Sequence, residues 1–319
     1  IRRAMGTGES PNRKPVALIA GPTASGKSAI ALRLASARLA KGLRTVIINA
    51  DSMQVYRDIP VLAASPDADE QSQCPHKLYG AWDGSEACSA ADWAARAKQE
   101  IAAAHTAGAL PVLVGGTGMY MKVLLEGIAP IPEIDPEIRS QVRAMDTGLA
   151  YAALQTEDAE RAALLEPTDS QRIARALEVV RSTGQTLAHW QSRKEGGIQD
   201  DIDLHPLILL PDRDWLYERC DRRFVQMLES GAIKEVEALL SRNLNPDLPV
   251  MRAIGVPEIA ALVKGELSRT EAITAGQQST RNYAKRQYTW FRRQPPEDWP
   301  RIESSNVDFE PYFASLLQR

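Results

Sequence analysis

Cysteine is scarce in this sequence: three among 319 residues, Cys74, Cys88 and Cys220, far apart and with no Cys-x-x-Cys pair or histidine cluster. Neither a disulfide framework nor a zinc site is indicated, and a reducing compartment, the cytoplasm, is the expected location. Long hydrophobic runs are missing too. The apolar stretches, such as Pro206 to Pro211, are far too short to span a bilayer, and no apolar signal-peptide core opens the chain. A soluble protein with no membrane partner is expected. Charge of one sign is also absent, because 38 Lys and Arg against 41 Asp and Glu leave a formal net charge of −3. That excludes a chain coated in basic charge. One segment departs from the balance: Arg281 to Arg293 holds Arg281, Lys285, Arg286, Arg292 and Arg293 and no acid, enough for a local polyanion site.

What is present is a chain with 44% hydrophobic residues, able to bury one large core or two ordinary ones. Residues 1–13 are polar and read as a flexible leader. Val16–Ala20 then reads as a buried strand, Lys27–Lys41 as a helix stopped by Gly42, and Thr45–Ile48 as a second buried strand. That succession is a βαβ unit. Asp58 to Pro75, with three prolines, reads as a loop; Ser89-x-x-Asp92 reads as a capping box before an alanine-rich helix that Gly108 ends. Leu110–Val114 is another parallel strand, running into Gly115-Gly116-Thr117-Gly118. After Pro130, Pro132 and Pro136 the strand pattern vanishes until His205, and Thr168-x-x-Gln171 can cap a helix that Gly184 ends. Leu207–Leu210 returns as a last core strand, followed by helices near 213–229 and 268–292. The expected fold is an α/β, P-loop NTPase-like parallel sheet flanked by helices, built from 14–130 and 204–319, with an inserted all-helical domain at 131–203.

The first βα turn, Gly21-Pro22-Thr23-Ala24-Ser25-Gly26-Lys27-Ser28, matches G-x-x-x-x-G-K-[ST] between a strand and a helix. Its glycines let the backbone wrap a phosphate, its amides and the helix N-terminus face the anion, Lys27 adds a point charge, and Ser28 can ligate magnesium. Taken alone the loop suggests ATP, and a small-metabolite kinase or a nucleotide-gated RNA-binding module stays open. A P-loop hydrolase usually carries an aspartate at the end of a later apolar strand. Here that strand ends in Gly115–Gly118 with no carboxylate, leaving Asp51, at the tip of the strand after the P-loop helix, as the acid facing the phosphate site.

Five segments, Gly21–Ser28, Asn49–Tyr56, Val114–Tyr120, Gln171–Glu178 and Ala284–Trp290, occur in the order seen in tRNA dimethylallyltransferases, and the chain resembles a bacterial member of that family over about residues 14–302. The resemblance implies transfer of the dimethylallyl group from dimethylallyl diphosphate to the exocyclic amine of the adenosine 3′ of a tRNA anticodon, with Mg2+ as cofactor. It turns the P-loop into a prenyl diphosphate site. It also implies Asp51 as base, with Thr117 at the nucleotide and Arg223 on the diphosphate, the alternative one position away being Arg222. Its tRNA-facing set, for the anticodon stem-loop, comprises Asp51, Ser52, Met53, Gln54, Thr117, Arg139, Gln171, Arg172, Ile173, Ala174, Arg175, Arg281, Lys285 and Arg286, and the enzyme is expected to act as a monomer. The helical stripe Arg281, Lys285, Tyr288, Arg292 suits an RNA backbone, whereas Tyr283, Trp290 and Phe291 fall elsewhere on the wheel and read as core. Two stretches depart from the family pattern. Ile59-Pro60-Val61-Leu62-Ala63-Ala64-Ser65-Pro66 replaces a Gly-Thr-Ala-Lys-Pro-like run, and His76-Lys77 replaces a His-His pair.

Overall fold

The computed structural model describes residues 13–304, 306 and 308–318; of the leader expected at 1–13, all but Arg13 lies outside the described residues. Hydrophobic runs without alternation set the architecture. β1 (Lys14–Ala20) buries its last five residues completely, and the sheet it joins is parallel throughout, as strands covered on both faces require. α1 (Lys27–Leu39) follows, then β2 (Arg44–Asn49). The stretch expected to be a plain loop contains a short helix, α2 (Ala68–Gln73), because Asp67 and Glu70 form a reciprocal capping box between the prolines. β3 (His76–Lys77), α3 (Ala90–Thr106), capped by Ser89 and Asp92 as the sequence indicates, β4 (Ala109–Gly115) and α4 (Gly118–Glu126) complete the first half.

Packing divides the chain into two compact units, one of residues 125–198 and one formed by the remainder. In the smaller unit, β5 (Gly127–Ile128) pairs antiparallel with β6 (Glu195–Gly196), a ribbon that the helical expectation for this stretch lacks. Between them run α5 (Pro136–Ala144), α6 (Thr147–Glu157), α7 (Ala159–Ala162), α8 (Ser170–Thr183) and α9 (Leu187–Gln191). Val142, Leu154, Ile173 and Leu177 form their core. The α8 cap is Asp169, which accepts from Arg172 N, and not Thr168; a carboxylate at this position also meets the positive end of the helix dipole.

In the larger unit, β7 (Ile202–Leu209) begins five residues ahead of the expected strand, Leu207–Leu210. It precedes α10 (Arg213–Glu229), α11 (Ala232–Ser241), α12 (Val256–Val263), the long α13 (Arg269–Arg293), β8 (Arg301–Ile302) and α14 (Glu310–Phe313). The sheet order is β3-β2-β4-β1-β7-β8. β2, β4 and β1 are therefore neighbours, and the segments leaving their carboxyl ends, at Asp51, Thr117 and the P-loop, emerge side by side. Ligands of open parallel sheets bind at that edge.

Candidate active site

The P-loop leaves β1 through Gly21 and enters α1 through Gly26, whose φ of 98° no residue with a side chain adopts cheaply. Ala24 also sits at positive φ, 63°, a local strain held by its neighbours. Inside the loop the Ser25 hydroxyl is fully buried and without a hydrogen-bond partner among the described residues. A buried orphan of this kind calls for a partner, and a phosphate oxygen would supply one. Lys27 donates to Pro22 O at 3.0 Å. Burial lowers its pKa to about 8; the nearby charge of Asp51 opposes the shift and that of Arg223 adds to it. Arg223, on α10, donates to the Thr23 hydroxyl, whereas Arg222 beside it is exposed. Arg223 is thus the arginine that meets the P-loop.

Asp51 is set by a side-chain clamp. Buried Asn49 accepts from Asp51 N at 2.8 Å and donates to Asp51 O at 3.0 Å and Leu78 O at 3.1 Å. Asp51 in turn accepts from Met53 N at 3.0 Å. The third strand end joins here: Thr117 Oγ1 accepts from Ser52 N at 2.9 Å, and Thr117 N donates to Ala50 O at 3.2 Å. Gly115 is required for this closeness, because a Cβ there would collide with the Ala50 backbone. Tyr283, on α13, lies beside the hydroxyls of Thr117 and Ser52, and burial together with the Asp51 charge raises its pKa. The helical-wheel expectation of Tyr283 as core is corrected: it lines the site.

An open cleft enclosing about 70 Å³ lies among these groups. Thr23, Asp51, Arg223 and Tyr283 make its polar part, and Met53, Ile59, Leu62, Phe224, Met227 and Ile254 are among its apolar walls. The segment that departs from the family pattern therefore supplies lining. It is also well anchored: the Glu235 carboxylate accepts from Val61 N at 2.7 Å and Leu62 N at 3.0 Å. Gln54 Nε2 donates to Ala63 O at 3.1 Å and Ala64 O at 2.7 Å. Gln54 thus spends its amide protons on the loop. A phosphate-binding corner, a fixed carboxylate and an apolar pocket between them can hold a short alkyl diphosphate and abstract a proton at its reacting end.

The family model described as IPP transferase matches residues 54–294. This chain belongs to the IPP transferase family. It is 62% identical over 311 residues to the tRNA dimethylallyltransferase of Erythrobacter litoralis, covering 98% of this chain and 97% of that protein. Against the tRNA dimethylallyltransferase of Rhodospirillum rubrum it is 48% identical, over 89% of this chain and 87% of the relative. Among solved structures, the tRNA isopentenylpyrophosphate transferase of Bacillus halodurans superposes with a TM-score of 0.66 at 32% identity, covering 96% of this chain and 95% of the other. A eukaryotic dimethylallyltransferase captured acting on tRNA gives 0.77 at 25% identity, over 95% and 77%. The P-loop NTPase-like fold expected from the sequence is the fold of this family.

The residues that the family resemblance assigned to tRNA are dispersed in character. In the helical unit Gln171 and Arg172 are exposed, Ala174 and Arg175 half-buried, and Ile173 fully buried. Ile173 packs that unit's core and is withdrawn from any surface role. Arg139, Arg143 and Arg175 converge on one buried carboxylate, Glu178, at 4.0, 2.8 and 3.7 Å. On α13, Arg281 is tied to Asp221 at 2.6 Å and Tyr288 packs under Arg213, so the proposed basic stripe is only half open. The open basic groove lies beside it, lined by Lys285, Arg286, Arg293 and Trp290. Sequence reasoning gave Gln287, within the Ala284–Trp290 segment, no role of its own, although Thr280, Ala284, Gln287 and Phe291 lie in the buried stripe of α13. An amide in an otherwise small or apolar stripe is itself a signal, since a buried polar group must have partners.

Proposed function

We propose that this chain transfers the dimethylallyl group from dimethylallyl diphosphate to the exocyclic amine of the adenosine 3′ of a tRNA anticodon, as the names of its relatives indicate. The cleft carries the reading, because it runs from the P-loop and Arg223 through apolar walls to Asp51. Adenine's exocyclic amine is a weak nucleophile whose lone pair is delocalised, so its attack needs a base. In the step proposed, the amine nitrogen bonds to C1 of the prenyl group, the C1–O bond breaks, and its electron pair leaves on diphosphate. One amine proton passes to Asp51. Lys27, Arg223 and the P-loop amides stabilise the charge gathering on the leaving group. Thr117 fixes the Asp51–Ser52 segment against which the extruded base would be read, with Tyr283 beside it.

Magnesium fits the donors present. Among the described residues no three of His, Cys, Asp and Glu gather to hold an ion, but a P-loop ion takes one hydroxyl, here exposed Ser28, and otherwise phosphate and water oxygens. When bound it would spread the charge of the departing diphosphate. We place the reaction with its tRNA substrate in the cytoplasm; no helix among the described residues is long and apolar enough to cross a membrane.

The test is incubation of purified protein with magnesium, dimethylallyl diphosphate and an unmodified tRNA bearing adenosine 3′ of the anticodon, with nucleosides read by mass spectrometry. Prenylated adenosine is expected, and Asp51→Asn is expected to lower turnover by about 10²-fold or more with tRNA affinity retained. No product, or phosphoryl transfer from ATP to a small acceptor, overturns the reading.

A further inference from the structure

Gln287 is buried on α13 and touches two of the three strand-end segments at once. Its Oε1 accepts from Thr23 N at 2.8 Å, and its Nε2 donates to Gly116 O at 2.8 Å. The amide can lie only one way round, with its oxygen toward the P-loop N–H and its nitrogen toward the turn's carbonyl. Neither backbone partner belongs to the helix that carries Gln287. A Cβ on Gly116 would collide with Gln287 Nε2, so that glycine leaves room for the amide.

Each partner leads on to a reacting group. Thr23 is the residue whose hydroxyl receives Arg223. Gly116 precedes Thr117, which fixes Ser52 and, through Ala50 O, the loop bearing Asp51. A continuous chain therefore runs from Arg223 through Thr23, Gln287, Gly116 and Thr117 to the Asp51–Ser52 loop. Tyr283, one turn earlier on α13, lies beside the same Thr117–Ser52 pair. The helix thus holds both the P-loop and the Gly116 turn through the single side chain of Gln287.

We infer that Gln287 is a positioning residue that sets the separation between the leaving diphosphate and the acceptor base, acting through Thr23 and Gly116 and touching neither reactant. The inference rests on the prenyl-transfer reading. In an in-line displacement the nucleophile, C1 and leaving oxygen must align, and misplacement by about 1 Å can cost about 10²-fold in rate. Ground-state binding of either substrate depends on contacts that Gln287 does not make. Loss of the amide therefore acts on kcat far more than on affinity.

The test uses Gln287→Leu, Gln287→Glu and Gly116→Ala in the full chain. Gln287→Leu is expected to lower kcat at least about tenfold while the affinities for dimethylallyl diphosphate and for tRNA, measured separately, stay within about threefold. Gly116→Ala pushes the amide aside from the opposite direction and should reproduce that split. Gln287→Glu supplies the signature that a merely structural role would not give. Its neutral carboxylic acid keeps both bonds, C=O accepting from Thr23 N–H and O–H donating to Gly116 O, whereas the ionised form has no proton for that carbonyl. The charged groups tied to this network are Arg223, bonded to Thr23, Lys27 in the same loop, and Asp51 in the loop that Thr117 holds, and all three remain in the wild type. The ratio of Gln287→Glu to wild-type kcat should therefore rise at least about tenfold as pH falls from 8.5 to 5.5, because the variant regains its donor. A flat ratio, or a kcat in Gln287→Leu equal to wild type, overturns the inference. Wild-type protein that makes no prenylated adenosine overturns instead the reading beneath it.

Discussion

Lys27 links donor binding to pH in a way the geometry makes quantitative. Burial brings its pKa down to about 8 in the free chain. A diphosphate placed against it restores the charged form, so the ammonium state binds and the neutral amine binds much less. For a single proton required in the free protein, apparent Kd scales with 1 + 10^(pH − 8), which is about 1.1 at pH 7 and about 11 at pH 9. A tenfold loss of affinity follows, about 1.4 kcal/mol. The donor contributes little to the slope, since a phosphate monoester completes its ionisation near pH 6. Isothermal titration calorimetry of dimethylallyl diphosphate without tRNA measures it directly, and titrations in two buffers of different ionisation enthalpy should show proton uptake near pH 8. Lys27→Met should bind weakly at every pH with no such slope. Wild-type affinity that holds within twofold from pH 7 to 9, or an equal slope in Lys27→Met, refutes the assignment. For the unliganded fold the same shift has the opposite sense: a lysine pKa depressed from 10.5 to about 8 favours folding most above 10.5, a contribution lost as pH falls through 8. Lys27 is thus charged at neutral pH at some cost to the empty protein.

Arg223→Gln removes the donor that meets Thr23 and is expected to lower kcat about 10²-fold, whereas Arg222→Gln, on the exposed side of α10, should stay within about twofold; equal effects in steady-state assays would reject the assignment. Ala63 lines the cleft from the anchored loop, so Ala63→Phe should raise the KM for dimethylallyl diphosphate about tenfold or more and leave inorganic diphosphate binding unchanged, and parallel losses for both ligands would place the prenyl group elsewhere. Glu178→Gln frees Arg139, Arg143 and Arg175 from their shared carboxylate; filter binding should show weaker tRNA affinity by about threefold despite one more net positive charge, and tighter binding would mean that charge alone, without order, serves RNA there.

The P-loop and the strand ends beside it were legible in the sequence because phosphate-binding chemistry forces local spacing. Glycine, lysine and serine must stand at fixed offsets within one turn, and the ends of β2 and β4 announce themselves as apolar runs stopping at Asn49-Ala50-Asp51 and Gly115-Gly116-Thr117. The apolar half left no such trace. Ile59, Leu62, Phe224, Met227 and Ile254 come from separate segments and satisfy no common period; only the packing of α10 and α12 against α13 and the tether from Glu235 bring them together. The pairing that half closes the basic stripe was hidden for a related reason, since Asp221, the partner of Arg281, lies 60 residues earlier in the chain. Tyr283 is the most instructive error. A helical wheel separates faces that meet water from faces that do not, and a prenyl diphosphate site must exclude water as a core does. On α13, Phe291 seals the interior, Gln287 ties two loops together and Tyr283 meets the Asp51 segment within three turns. Where the reaction chamber is an extension of the hydrophobic core, burial alone cannot tell a packing residue from a reacting one. The distinguishing mark is a buried polar atom and the partner it has found.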